Sequence, residues 1–263
     1  MRFTILASGS TGNAALIETT RTAVLLDAGL SARALVQRMT ALGFDPTRLA
    51  AIVVTHEHTD HIAGLSVIAR RLNLPVFIAS DARRNLRLPE KDAAAIRWAD
   101  PLTAEQPIVI GDLTLTPIAV PHDAAEPFIF TATAGGVKLA VVTDLGYIPP
   151  HVARRLTGCH ALVLEANHDR DLLRAGPYPW ELKQRVAGRL GHLSNDEMAR
   201  FLREDFDGDA AYIILAHLSR HNNHPDLARL AALQALDGVR PHRDWEAVVA
   251  VAPPDGLPHW YTL

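Results

Sequence analysis

A cluster of metal-binding side chains between a predicted strand and a predicted helix constrains the fold of this chain more than any other feature. Residues 51–55 are aliphatic and β-branched, which predicts a buried strand. Residues 60–72 place apolar side chains at helical spacing. Layered β/α proteins form their sites at such strand ends. The junction, residues 56–61, supplies four candidate metal ligands: His56, His58, Asp60 and His61.

The types and spacing of these four side chains predict a metal site that is open to water. His56 and His58 are two residues apart, so on an extended segment both can bind one metal. Asp60 and His61 begin the predicted helix and can face a second metal about 3.5–4 Å away. Structural zinc sites favour thiolates and close their fourth position, whereas open sites of histidine and carboxylate ligands keep a position for water. One such histidine alone would more often be a solvated loop residue, but four ligands within six residues favour metal binding.

Three more candidate ligands follow aliphatic runs in the same way, and they are His122, Asp144 and His217. Taken singly, either histidine could be a loop residue, and Asp144 could be a turn or helix-cap residue. Together with the cluster at residues 56–61, their shared position after a strand favours a metal role. Asp27 also follows a predicted strand and is either a turn residue or a residue that orients a metal ligand.

Strands and helices are predicted along the whole chain, without a linker-like tract. The predicted helices are residues 32–42, 60–72, 179–189, 194–204 and 226–236. The predicted strands are residues 3–6, 14–18, 23–26, 51–55, 76–79, 107–110, 113–120, 128–134, 137–143, 161–166, 212–216 and 247–251. This order predicts a single α/β domain over residues 1–263, with two sheets face to face and helices on both outer faces.

Composition narrows the functional classes. The chain has 263 residues and a formal net charge of −3, so it lacks the overall basic character of many nucleic-acid-binding proteins. Its single cysteine, Cys159, cannot form an intrachain disulfide; we predict that it is structural, in a reducing compartment. The sequence has no apolar run that could span a membrane and no segment like a signal peptide, so we expect a cytoplasmic protein without membrane contact.

The candidate ligands resemble the full motif set of the metallo-β-lactamase superfamily, and the resemblance extends over most of the chain. It implies a four-layer αββα sandwich with two mixed sheets, and two divalent metal ions, either zinc or manganese, with iron as a further option. It implies that one metal is bound by His56, His58 and His122. It also implies that the second metal is bound by Asp60, His61 and His217, and that Asp144 bridges the two.

Other segments resemble particular branches of this superfamily. Three segments of the chain resemble late motifs of RNase Z-type phosphodiesterases, and they are residues 162–168, 191–194 and 217–220. Three other segments resemble the YycJ/WalJ-like group, which is described as exonuclease-like and DNA-processing. They are residues 6–13, 176–179 and 218–223. This resemblance implies a phosphodiesterase, most of all an exonuclease, that acts on nucleic acid, with DNA favoured over RNA. It also implies that His192 acts near the scissile phosphate and that Glu165 orients His192.

The expected reaction is attack of a metal-bridged hydroxide on phosphorus. Asp60 would orient this nucleophile and take its proton, and His192, if protonated, would stabilise charge or protonate the leaving oxygen. Glu165 would keep His192 charged. Alternatively, His192 is a residue at a helix entry and Glu165 is a charge at a strand end. Two further residues are predicted to bind substrate: Arg220, which could equally be a surface charge, and Asn13.

Two rival functions use the same candidate ligands. A hydrolase of a small ester, lactone or thioester would need the metals but neither His192 nor Glu165. A non-enzymatic metal-binding partner is disfavoured because the set of candidate ligands is intact. Two basic groups could bind a nucleic-acid backbone, although solvated surfaces are the favoured interpretation of both. One is a predicted helix face of Arg83, Arg84 and Arg87, and the other consists of Arg170, Arg174, Lys183 and Arg185.

Overall fold

Two seven-stranded sheets form the centre of the computed structural model, which describes residues 1–240, 242–257 and 259–263. The first sheet contains, in spatial order, β14 (Tyr261–Thr262), β1 (Arg2–Ala7), β2 (Ala14–Glu18), β3 (Ala23–Leu26), β4 (Ala51–Val53), β5 (Pro75–Phe77) and β6 (Arg97–Trp98). The second sheet contains β13 (Val249–Val251), β12 (Tyr212–Ala216), β11 (Ala161–Glu165), β10 (Val137–Val142), β9 (Phe128–Ala134), β8 (Leu113–Ala119) and β7 (Ile108–Ile110).

Both sheets are mixed, as predicted. Strands β3 to β6 are parallel, and so are β10 to β13, whereas the remaining neighbours are antiparallel. The carboxyl ends of parallel strands lie at one edge of a sheet, and side chains that follow them can therefore converge. The pairing of β14 with β1 brings the first and last strands side by side in one sheet.

Helices cover the outer face of each sheet. The helices are α1 (Ala32–Ala41), α2 (Thr59–Ile62), α3 (Leu65–Leu72), α4 (Ser80–Arg84), α5 (Glu90–Ala94), α6 (Pro150–Leu156), α7 (Arg170–Ala175), α8 (Trp180–Ala187), α9 (Asn195–Glu204), α10 (Pro225–Leu236) and α11 (Trp245–Val248). A short 3-10 helix covers Pro46–Arg48. None of the helices in the described part of the chain meets the length and hydropathy that a membrane crossing requires.

Alternation along the strands divides the core into two layers. In β10, Leu139 and Val141 face the cluster between the sheets, which also contains the buried residues of α1 and α3. Ala140 and Val142 face the opposite way, into a cluster shared with α6, α9 and α10. A strand with apolar side chains on both faces requires a covering layer on each side. This packing confirms the predicted four-layer αββα sandwich.

The single helix predicted over residues 60–72 is wrong, because the structure has two helices, α2 and α3. The carbonyl oxygen of Asp60 accepts a hydrogen bond from Asn13 N at 2.7 Å, and that of His61 accepts one from Ala28 N at 2.8 Å. These oxygens therefore bind neighbouring loops instead of the next helical turn. Both carbonyls remain paired, but the helix is interrupted.

Two glycines permit this close approach of loops and helix. A Cβ at Gly64 would lie 2.1 Å from Leu30 O, and a Cβ at Gly29 would lie 1.7 Å from Asp60 O. A side-chain carbon cannot lie at either distance from a non-bonded carbonyl oxygen, so the backbone would have to shift. The geometry around Asp60 therefore depends on the absence of a side chain at position 29.

We expect Gly29→Ala to lower the free energy of unfolding by about 1–3 kcal/mol or more, because the added methyl must displace backbone. Urea denaturation of the purified variant measures this loss. A matched control is Gly238→Ala, since a Cβ at Gly238 meets nothing within 4 Å. The control should change stability by no more than about 0.5 kcal/mol. Equal stabilities for the two variants would show that the loop and helix do not pack as described.

Two further predictions need correction. Residues 247 and 248 were expected in the closing strand, but they belong to α11, where Asp244 Oδ1 accepts a hydrogen bond from Ala247 N. Arg87 lies beyond the end of α4, so it does not extend a basic helix face. The guanidinium of Arg83 stacks on Trp98 at 4.5 Å, which favours a solvated surface at this helix.

Candidate metal centre

The candidate ligands converge from the two sheets at one edge. His56 and His58 follow β4, Asp144 follows β10, and His217 follows β12 directly. His122 lies on the segment after β8. The rule that sites form at the carboxyl ends of strands therefore holds for both halves of the chain.

Three of the residues that follow strands have left-handed backbone conformations. The φ angles are 61° for Asp27, 64° for Asp144 and 57° for His217. This conformation is unfavourable for residues with a Cβ and tends to occur where function constrains the chain. The N–H of His217 donates to Ser8 Oγ at 2.7 Å, which ties its backbone to the loop after β1. The fold thus turns the chain sharply after three of the strands that lead to the site.

Among the described residues, donor atoms form three groups of three at this edge, and two of these groups have no residue in common. Within each group, one nitrogen or oxygen from every residue lies within 4.8 Å of the others. The first group is His56, His58 and His122, and the second group is Asp60, His61 and His217. These are the two sets that the family resemblance implies.

Asp144 lies between the two groups. Its Oδ2 is 3.1 Å from His61 Nε2, and its Oδ1 is 4.0 Å from His122 Nε2. Oδ1 is also 3.3 Å from His217 Nδ1. A carboxylate in this position can contact metals in both groups, as the predicted bridge requires.

Hydrogen bonds orient the histidine rings from behind. His61 Nδ1 donates to Asp27 Oδ2 at 2.7 Å, and His217 Nδ1 donates to Glu165 Oε1 at 2.8 Å. His122 Nδ1 is 3.1 Å from the carbonyl oxygen of Gly191. An imidazole that donates from Nδ1 keeps the lone pair of Nε2 for a metal. Asp27 therefore has the position of a residue that orients a candidate metal ligand, which is one of the two roles considered for it.

Three buried polar atoms in the centre have no hydrogen-bond partner among the described residues: His56 Nε2, Asp144 Oδ2 and His217 Nε2. Buried polar atoms are normally paired, so three unpaired atoms at one point indicate a missing partner. Divalent ions bind imidazole nitrogen and carboxylate oxygen together. The residues present therefore fit divalent metal ions.

Opposite charges in the centre are shared between Asp144 and two histidines. Burial lowers the pKa of His61 and His217, but the Asp144 carboxylate outweighs it and raises the pKa of both well above 6.5. Burial raises the pKa of Asp144, yet His217 and His61 lower it well below 3.8. By contrast, burial lowers the pKa of His56 and of His122. Two neutral imidazoles in the first group are thus ready to bind a metal.

Glu165 connects the centre to His192. Its Oε1 accepts hydrogen bonds from the Nδ1 atoms of both His192 and His217, each at 2.8 Å. Its Oε2 accepts from the backbone N–H groups of Leu145 and Leu193. Burial raises the pKa of Glu165, but the two histidines outweigh it and lower the pKa to about 2. Glu165 is therefore a buried carboxylate anion that holds one candidate ligand and one candidate catalytic residue.

His192 lies at the surface of this arrangement. Its side chain is 22% exposed, and its Nδ1 is 3.6 Å from Asp144 Oδ1. It lines a cavity of about 350 Å³ together with His58, Asp60 and His217. His192 also belongs to a group of four with donor atoms within 4.8 Å, together with Asp144, Glu165 and His217. The position of His192 is thus compatible with contact to a substrate or to a metal.

The structure brings only one of the two predicted substrate-binding residues into the centre. Asn13 is buried, and its Nδ2 donates to Asp60 Oδ2 at 3.1 Å, so it holds Asp60 rather than reaching into the cavity. Arg220 is exposed and is not among the residues that line the cavity, although its neighbour Ser219 is. Cys159 is buried in the core, where burial raises its pKa to about 12, as a structural cysteine requires.

Sequence reasoning missed several residues that support the centre. Thr55 Oγ1 donates to Asp27 Oδ2 at 2.9 Å and is also 2.9 Å from His56 Nδ1. Asn167 Nδ2 donates to the carbonyl oxygen of His217 at 2.8 Å. A polar residue at the buried end of an aliphatic strand is the only signal that could have indicated Thr55.

Comparison with known proteins places the chain in a family. Residues 22–217 match the Beta-lactamase superfamily domain. The chain is 36% identical over 242 residues to Exodeoxyribonuclease YycJ of Bacillus anthracis, which covers 90% of this chain and 89% of that protein. It is 32% identical over 238 residues to Exodeoxyribonuclease WalJ of Streptococcus pneumoniae serotype 2, with 89% and 88% covered.

A solved structure shows the same fold. The metallo-beta-lactamase fold protein YhfI from Bacillus subtilis has a TM-score of 0.71, with 19% identity over 99% of this chain and 98% of that chain. At this identity the likeness concerns the fold alone, whereas the two sequence relatives extend over nearly the whole chain. The chain belongs to the beta-lactamase superfamily and, within it, to the family that includes YycJ and WalJ.

Proposed function

We propose that this protein is an exonuclease that hydrolyses phosphodiester bonds of DNA with two divalent metal ions. The observation that carries the proposal is the hydrogen-bonded pair of His192 and Glu165 at the edge of the metal centre. A partly exposed imidazole that is held by a buried anion provides a hydrogen-bond donor for a phosphate. The names of the two relatives support DNA as the substrate and cleavage from an end.

We propose that His56, His58 and His122 hold one ion, that Asp60, His61 and His217 hold the other, and that Asp144 contacts both. Ligands of this type suit zinc or manganese, with iron as a further option. When bound, the ions would supply an activated water molecule and neutralise negative charge on phosphoryl oxygens.

The roles of the protein groups follow from their contacts. Burial raises the pKa of Asp60, but its hydrogen bond with His217 and the charge of His61 lower it overall, so Asp60 is an anion that can accept a proton. Asn13 fixes the orientation of its carboxylate. His192 donates from Nδ1 to Glu165, which leaves Nε2 to donate to a phosphoryl or leaving oxygen. A DNA substrate also requires a compartment that contains DNA, so the proposal includes a cytoplasmic location.

Cleavage of end-labelled single-stranded and double-stranded DNA and RNA, with added manganese or zinc, tests the proposal. We expect metal-dependent shortening of DNA from one end, and loss of the activity in Asp60→Ala. Asp100→Ala is a matched control because Asp100 is exposed and outside the centre. Absence of cleavage with every metal, together with turnover of ester, lactone or thioester substrates, would contradict the nuclease and establish the small-molecule hydrolase.

A further inference from the structure

A second cavity adjoins the metal centre and shares His192 with it. This cavity has a volume of about 680 Å³, within the range of small-ligand sites. Its wall is formed by α7, α8, the start of α9 and the loop that follows β10. We call it the basic cavity, because its lining contains five cationic side chains and one carboxylate: Arg170, Arg174, Lys183, Arg189, Arg200 and Glu197.

The cations of the basic cavity differ in their partners. Arg170 and Arg200 both contact Glu197, so their charge is largely compensated. Among the described residues, Arg174, Lys183 and Arg189 form no salt bridge. No carboxylate oxygen of those residues lies within 4.0 Å of their charged groups. Three uncompensated cations at one cavity, in a chain with a net charge of −3, indicate an anionic ligand.

Aromatic surface faces the same cavity. Trp180 begins α8 and is 65% exposed, although tryptophan is seldom so accessible in a folded protein. Tyr147 lines the cavity and stacks under the Arg189 guanidinium at 4.4 Å. Exposed aromatic rings beside cations form the platforms on which nucleobases stack. The lining thus combines groups that bind a phosphate with groups that bind a base.

A buried polar group completes the lining. His168 is 2% exposed, and its Nδ1 has no hydrogen-bond partner within the described residues. His168 lies beside the metal centre, because its neighbour Asn167 lines the cavity at that centre. A buried imidazole nitrogen without a partner is available to form a hydrogen bond with a polar ligand.

We propose that the basic cavity binds the terminal nucleotide of the DNA strand, with its base on Trp180 and its terminal phosphate at Arg174 and Lys183. This inference rests on the proposed exonuclease function. An exonuclease cuts next to the chain end, so the nucleotide on one side of the scissile phosphate is the terminal one. The shared residue His192 connects the two cavities, and the strand end can therefore reach beyond the metals.

Binding of dAMP to the metal-loaded protein tests the basic cavity without turnover. We expect Arg174→Ala to raise the Kd by about 10- to 100-fold, since it removes a charge-assisted hydrogen bond. Trp180→Ala should raise it by about 5- to 100-fold through loss of stacking. Arg203→Ala and Val109→Ala are matched controls on exposed positions outside the cavity and should leave Kd unchanged. An unchanged Kd in both cavity variants would overturn the proposal, because dAMP would then bind elsewhere.

Cleavage of oligonucleotides that carry either a phosphate or a hydroxyl at each end provides the second readout. A phosphate at the end that is degraded should raise kcat/KM by about tenfold or more, and Arg174→Ala should abolish this preference. Equal rates for both termini would overturn the terminal-phosphate assignment. A protein that binds dAMP in the basic cavity but cleaves no DNA would support the cavity as a nucleotide site while contradicting the proposed nuclease.

Discussion

Replacement of Asp144 by alanine is expected to remove bound metal and to lower the rate of DNA hydrolysis by about a thousandfold or more. Its carboxylate is the negative group that lies between the two sets of candidate ligands, 3.1 Å from His61 Nε2 and 3.3 Å from His217 Nδ1. Without it, five histidine nitrogens and Asp60 would have to bind two divalent ions with one anion fewer. Metal content by elemental analysis and single-turnover cleavage measure the two effects.

The matched control for Asp144→Ala is Asp100→Ala, which removes an exposed carboxylate and should keep both metal content and rate. Circular dichroism distinguishes loss of metal from loss of the fold, because Asp144 lies in a turn after β10 rather than in the apolar core. A variant that keeps two ions per chain and the parental rate would contradict the assignment of Asp144 as the group between the metals.

His192→Ala is expected to lower kcat by about 10²- to 10⁴-fold while both metals remain bound. His192 lies outside the two ligand groups, so its loss should affect the stabilisation of the phosphate and not the metals. Glu165→Gln should affect both, because the same oxygen accepts from His192 and His217. Loss of an outer hydrogen bond typically weakens metal affinity by about 10- to 100-fold. The two variants therefore separate the chemical step from metal binding.

His151→Ala, on the exposed first turn of α6, controls for the loss of an imidazole in general. If His192→Ala lost a metal ion in parallel with its activity, His192 would be a ligand within its group with Asp144, Glu165 and His217. If the variant kept the parental kcat, the interpretation of His192 as a helix-entry residue would be correct instead. Steady-state kinetics with metal analysis on the same preparation distinguish these results.

The candidate ligands were predictable because local sequence determines where they lie. An aliphatic run that predicts a strand also fixes where the strand ends, and a histidine or aspartate at that point must lie at the edge of the sheet. This reasoning located Asp144 and His217 without knowledge of the sheet order. The four layers were predictable for a similar reason, since strands such as β10 are apolar on both faces.

Long-range contacts explain what the sequence did not predict. The interruption between α2 and α3 results from loops that bind Asp60 O and His61 O, and helical periodicity contains no trace of them. The role of Asn13 depends on a loop that returns to Asp60 from 47 residues away. Helices α4 to α7 have five to seven residues each, too short for a periodic pattern to indicate them.

Anomalous diffraction from crystals of the protein grown with manganese or zinc tests the account most directly. We expect two peaks about 3.5–4 Å apart, one beside His56, His58 and His122 and one beside Asp60, His61 and His217, with Asp144 between them. Absence of a peak at either group, or metal bound only at another site, would contradict the proposed dinuclear centre.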